Sequence, residues 1–192
     1  MDQQNKLKIA ALLVITVLAI ASKLFITLPN FSPIGAVVLL GAAYFARTNT
    51  ALLVPLGLMW LVDLYLNNVV YAEYFDSFQL LGVPAVYVSL VLIVLVGRYM
   101  LKKVNFINVL AASLMAAVTF FLITNFGSWL TDPVYPKNLG GLMQSYHAGI
   151  PFFRGTFFGN LFFTTFLFFA FEMFSLEFFT SAFSRKSSRS LG

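Results

Sequence analysis

Apolar runs without a single charged residue recur along this chain, and several are as long as a helix must be to cross a lipid bilayer. A hydrocarbon layer of roughly 30 Å takes about 20 mostly apolar residues. The stretches Phe78 to Gly97 and Ile107 to Asn125 both qualify without a charge. Backbone polar groups find no water in such a layer, so a segment of this kind spans it as a helix. Composition points the same way. Of 192 residues, 60 % are hydrophobic and only 10 % are charged, against about 25 % charged in soluble domains. Too few charges remain to coat a globule of this size, which excludes a soluble cytosolic enzyme. The same apolar, aromatic composition excludes a disordered chain. Cysteine is absent, so there is no disulfide, thiolate metal site or cysteine nucleophile.

The expected fold class is all-α: an integral membrane six-helix bundle, one transmembrane domain over residues 1–192. Its spans fall at 7–28, 33–46, 50–66, 78–97, 107–125 and 155–178. The first carries Lys23, which must sit near an interface or snorkel toward one. No small-residue cleavage site follows, so this segment reads as a retained helix. The second and third, Pro33–Ala46 and Thr50–Leu66, are short, contain Pro55 and Gly57, and are separated by three residues. They form a tight helical hairpin; a re-entrant hairpin fits almost as well.

Six spans place both termini on one side. That side receives Lys6, Lys8, Arg47, Arg98, Lys102, Lys103, Arg185, Lys186 and Arg189; the other receives Lys23, Lys137 and Arg154. Nine basic residues against three put both termini in the cytoplasm by the positive-inside rule. The net charge of +5 is thus a topology signal and not a nucleic-acid footprint. The longest outer connection is 126–154, with LGGLMQSYHAGI in its middle reading as a short helix at the membrane surface. A loop of such length in so small a protein is more often functional than filler.

No Walker A, HExxH, GxSxG or paired-histidine pattern occurs. The chain therefore reads as no enzyme, with no catalytic set, metal site or cofactor. Asp63, in WLVDLYLNN, is an ionisable group near the end of an apolar span, where charge is costly and marks either a pairing or a ligand role. Asn125 opens NFGSWL at the outer edge; an amide beside aromatic rings there can orient a solute, which ranks it above Asn160. His147 is the only histidine and serves either as an interfacial hydrogen-bonding residue or as a solute contact. Arg154 is either an interfacial anchor or a recogniser of an anionic group. Trp129 and Tyr146 offer rings for stacking. Glu172 and Glu177 are read as pairing with basic inner segments or a partner protein. Steps such as Ala42/Ala46, Ala112/Ala116, Ser113/Ala117 and Gly155/Gly159 let helices approach closely, chiefly for internal packing.

The topology resembles the S components of energy-coupling-factor (ECF) vitamin transporters. Three stretches also resemble an uncharacterised family of small bacterial membrane proteins related to them: PNFSPIGAVVLLGAAYF (Pro29–Phe45), FLITNFGSWL (Phe121–Leu130) and YPKNLGGLMQSYHAGIPFFRGTFFGN (Tyr135–Asn160). The resemblance implies a multi-pass protein of the bacterial inner membrane. In it, outer loops cap a cavity for a vitamin-like molecule or metal ion, and a separate membrane coupling protein with ATPase subunits supplies energy. The Ala-xxx-Ala docking step that many S components carry on the first helix is absent here.

The expected function is solute binding for uptake, with Asn125, Trp129, Tyr146, His147 and Arg154 meeting the small-molecule solute and Asp63 below them. The alternative is a structural or assembly subunit of a larger membrane complex. A membrane enzyme built on His147 lacks a neighbouring His, Asp or Glu set.

Overall fold

The structure, a computed structural model, describes residues 3–22 and 28–189. The expected interfacial placement of Lys23 lies outside the described residues, as do the side chains of Glu177, Arg185, Lys186 and Arg189. Six α-helices follow in order: α1 (Gln3–Ala21), α2 (Ile34–Tyr44), α3 (Thr48–Tyr65), α4 (Pro84–Met100), α5 (Phe106–Thr131) and α6 (Leu139–Arg189). The all-α class and the number of helices agree with the sequence reading, and the described residues contain no strand.

Three helical stretches are long and apolar enough to cross a membrane: Thr48–Val70, Phe106–Thr131 and Leu139–Phe174. Only 17, 28 and 33 % of their most apolar windows are buried inside the protein. Most of that apolar surface therefore points away from the protein's own core, the opposite of an amphipathic helix packed on a soluble domain.

The core is built around α2. Every residue from Ile34 to Ala42 is buried, and α2 packs against α1, α3, α4, α5 and α6. A helix apolar on all sides belongs in such a position. Small residues make the enclosure tight. A Cβ added to Gly97 would come within 2.6 Å of the Ala42 Cβ, so α2 and α4 meet nearly backbone to backbone. The eleven residues of α2 rise about 17 Å at 1.5 Å each. Residues 45–47 alone join α2 to α3, giving the tight hairpin expected there. Ala112, Ser113, Ala116 and Ala117 are likewise buried on α5, so the small-residue steps serve internal packing.

Two expectations need correction. The connection expected over 126–154 is mostly helix: α5 continues to Thr131, α6 begins at Leu139, and only 132–138 remain as a turn. The breakers Pro133 and Pro136 sit inside that turn. Asn138 then caps α6, its Oδ1 accepting from the Gly141 N–H at 2.9 Å. Gly141 is a glycine for tertiary reasons, since a Cβ there would lie 1.9 Å from the Pro136 carbonyl oxygen. Pro151 falls inside α6, where it has no N–H to donate to the His147 carbonyl.

The fourth segment, expected to be helical from Phe78, becomes helical only at Pro84. Val83 is extended at ψ 116, as the residue before a proline is sterically driven to be. The preceding stretch folds back along α3. The Asn68 side chain accepts from the Gln79 N–H at 2.7 Å and donates to the Gln79 carbonyl at 2.9 Å. Trp60 Nε1 donates to the Leu80 carbonyl at 2.9 Å.

Glu172, expected to pair with basic inner segments or with a partner protein, accepts a hydrogen bond from the Tyr44 hydroxyl, joining α6 to α2.

Candidate functional site

Beyond the first turn of α2 the bundle is hollow. A cavity of about 810 Å³ opens there, within the range of small-molecule sites. Its walls come from α3, α4, α5 and α6, and its rim from two connections. One is the stretch from Leu28 to Ser32 that leads into α2. The other is the wound-open end of α3, where a π turn (Leu66–Val70) and a 3-10 turn (Ala72–Tyr74) follow Tyr65.

The Leu28–Ser32 rim is held against α6 by the two glycines of the Gly155/Gly159 step. A Cβ on Gly155 would lie 2.0 Å from the Pro29 carbonyl oxygen, and one on Gly159 3.0 Å from the Ser32 nitrogen. Asn30 takes the left-handed conformation at φ 56, tolerated best by Asn among side-chain-bearing residues. Phe31 then packs on the α6 rings of Phe163 and Phe162, with centroids at 5.2 and 6.1 Å.

Asp63 lines this cavity from α3 and is 8 % exposed. Its Oδ2 accepts from the Tyr87 hydroxyl of α4 at 2.8 Å. Gly82 presses on the same carboxylate: a Cβ there would sit 2.3 Å from Oδ2. A second space of about 350 Å³ lies under the 75–83 stretch and shares Met59, Asp63, Asn67 and Val86 with the first. Asp63 therefore borders both.

Across α6, Thr156 and Asn160 also line the larger cavity. Asn160 is 5 % exposed. Its Nδ2 donates to the Thr156 carbonyl at 3.0 Å, while its Oδ1 has no hydrogen-bond partner. This oxygen lies against α2 at Gly35, where a Cβ would be 2.0 Å away. Leaving a buried acceptor unpaired costs about 1–3 kcal/mol. Thr164 on α6 and Thr16 on α1 also bury hydroxyls that have no partner.

Of the six residues expected at the site, Asp63 lines the cavity and the other five do not. Asn125 lies in the α5–α6 seam. Its Nδ2 donates to the Phe121 carbonyl at 2.7 Å, its own carbonyl accepts from Ser145 Oγ at 2.7 Å, and Gly149 makes room for its amide. Tyr146 ties the same seam, donating to the Leu122 carbonyl at 3.1 Å. Trp129 fastens the 132–138 turn by donating to the Pro136 carbonyl at 2.9 Å. His147 and Arg154 are exposed on α6.

Asn160, ranked below Asn125 from sequence, lines the cavity, and Asn125 does not. The signal for it was spacing: Thr156, Asn160 and Thr164 recur every fourth residue, placing three polar groups on one face of an otherwise Phe-rich helix. All three are buried. Among the described residues, no group of three or more His, Asp or Glu side chains is placed to hold a metal ion.

The chain belongs to a family of unknown function, DUF6580, whose model matches residues 3–183. No curated protein and no solved structure matches it.

Proposed function

We propose that this protein is a membrane-embedded solute-capture subunit for uptake, binding a small molecule in the cavity above α2 and relying on separate subunits for energy. The observation that carries the reading is the cavity itself: about 810 Å³, lined by the buried side chains of Asp63 and Asn160 among mostly apolar neighbours. Sites for small molecules combine an apolar lining with a few placed polar groups in this way. The three long apolar helices support residence in a bilayer; partnership with a coupling protein and ATPases is what the sequence's resemblance to ECF S components implies.

Direction follows from charge. The two connections that rim the cavity hold one basic residue between them, Lys23 in 22–33 and none in 66–83, whereas the α2–α3 and α4–α5 connections carry Arg47, Lys102 and Lys103. By the positive-inside rule the cavity opens to the exterior and both termini face the cytoplasm.

The rival reading, an assembly subunit, needs close-packing faces left over for a partner. The steps Ala42 against Gly97, Ala85 against Gly127 and Gly155/Gly159 against residues 29–32 are already occupied inside the bundle, which favours capture. The test is native mass spectrometry of the protein extracted from its own membranes, paired with thermal unfolding. A co-purifying small molecule whose removal lowers the melting temperature is expected. A stoichiometric partner protein, with no small molecule retained and no solute raising the melting temperature, would overturn the proposal.

A further inference from the structure

The segment leading into α4 is apolar before it is helical. Residues 78–83 carry no charge, yet the helix begins only at Pro84. Phe78, Leu80, Leu81 and Val83 are 71, 60, 59 and 60 % exposed. Two rulers give the depth of this strap. α3 starts just after Arg47, and α4 ends shortly before Lys102 and Lys103, so these two helix ends mark the basic interface. The seventeen residues of α4 rise about 25 Å from it, short of a hydrocarbon layer of roughly 30 Å. Along α3, Trp60 stands about 18 Å and Asp63 about 22 Å from Thr48. The strap is fixed at those levels. Trp60 Nε1 donates to the Leu80 carbonyl at 2.9 Å, and a Cβ on Gly82 would run into the Asp63 carboxylate. Helix tilt only shortens the rise along the bilayer normal. Leu80 to Val83 therefore lie about 5–12 Å inside the far edge of the hydrocarbon.

Non-helical backbone is tolerated at such depth only where protein or a water-filled cavity meets its polar groups. Here the Asn68 side chain meets both main-chain groups of Gln79, Trp60 meets the Leu80 carbonyl, and the Val83 carbonyl accepts from the Val86 N–H at 2.9 Å. On its inner side the strap lines the smaller space with Gln79, Leu81, Gly82 and Val83. Phe78 and Leu80 line neither space, so their exposed surface faces outward. Resting on the bilayer residence proposed above, we infer that residues 78–83 are a lipid-contact surface: a non-helical strap seated among the acyl chains of the leaflet opposite Arg47 and Lys102, with Phe78 and Leu80 against lipid and its backbone turned toward the smaller space. Only the tip of the α3–α4 connection, where Glu73 and Asp76 lie, stands in water. The apolar run from Phe78 thus enters the membrane six residues before it becomes a helix.

The experiment uses the full chain, which has no native cysteine, in lipid nanodiscs. A nitroxide is attached in turn to Tyr74→Cys at the tip, Leu80→Cys in the strap and Leu95→Cys within α4, where the native side chains are 74, 60 and 53 % exposed. Collisions of each label with oxygen, which concentrates among acyl chains, are compared with collisions with a water-soluble nickel chelate. The oxygen-to-nickel ratio is expected to be several-fold higher at positions 80 and 95 than at position 74. Phe78→Cys is expected to give a high ratio as well, and it decides the matter if Leu80→Cys does not fold. A low ratio at 80 with a high ratio at 95 would place the strap in water, overturning the inference and leaving bilayer residence standing. A label at 80 shielded from both reagents would mean that protein covers the strap, with the same consequence. Low ratios at both 80 and 95 would overturn bilayer residence itself and the inference with it.

Discussion

The Tyr87 hydroxyl donates to Asp63 Oδ2 across 2.8 Å, tying α4 to α3 at the edge of both cavities. The bond offsets part of the cost of holding a carboxylate that is 8 % exposed, because hydrogen bonds to charged groups are worth more than neutral ones. Tyr87→Phe is therefore expected to destabilise the protein by about 1–3 kcal/mol, read from thermal or denaturant unfolding in detergent. Unchanged unfolding would mean that the pair contributes nothing to the α3–α4 contact.

Gly155 and Gly57 make a matched pair. A Cβ on Gly155 meets the Pro29 carbonyl oxygen at 2.0 Å, whereas one on Gly57 meets nothing within 4 Å. Gly155→Ala must push the rim off α6 and is expected to cost about 1–3 kcal/mol, with weakened solute binding. Gly57→Ala removes a flexible residue from inside α3 and is expected to raise stability by about 0.5–1 kcal/mol. Equal melting temperatures for the two variants would contradict the packing of residues 29–32 on α6.

Asn160→Ala sets two effects against each other. It loses packing and the bond to the Thr156 carbonyl, and it also removes an acceptor that has no partner. Ligand-free stability is expected to change by less than the ~2–5 kcal/mol typical of truncating a large buried side chain. Stabilisation by the retained solute is expected to fall. A large loss of ligand-free stability with solute binding intact would assign Asn160 to structure alone.

His147 and Arg154 are exposed on α6 and do not line the cavity. His147→Ala and Arg154→Ala are expected to shift stability by no more than about 0.5 kcal/mol and to leave solute binding as it was. Loss of binding in either variant would place the solute on the α5–α6 hairpin and not above α2.

The absence of cysteine makes orientation directly measurable. Tyr74→Cys, at a position 74 % exposed in the 66–83 connection, is expected to react with an impermeant maleimide on intact cells. Lys102→Cys, in the α4–α5 connection, is expected to react only after permeabilisation. The reverse pattern would turn the cavity toward the cytoplasm.

What the sequence revealed and what it hid follow from the range of the interactions concerned. Uncharged runs mark the helices because every residue in them contributes to the signal, and Asp63 stood out because a single charge in an apolar run is conspicuous. The 126–154 stretch misled because local breakers had been recruited for distant contacts: Gly141 accommodates the Pro136 carbonyl, and Gly149 the Asn125 amide. Glycine reads as a loop where only the partner helix explains it. Asn125 and Asn160 are the same residue type in similar apolar surroundings. Only the tertiary arrangement sends one to a seam and the other to the wall of a cavity.

The brevity of the central helix accounts for the hollow above it. A hydrocarbon layer of roughly 30 Å exceeds the rise of α2 by about 13 Å. A column of that height and a helix's width of about 10 Å encloses on the order of 1,000 Å³, close to the 810 Å³ observed. The vacancy is thus the outline of some two and a half turns that the axial rod omits. Extending α2 toward its N-terminus would plug the vestibule with the protein's own backbone, which makes the length of that rod the dimension governing how large a space the bundle encloses.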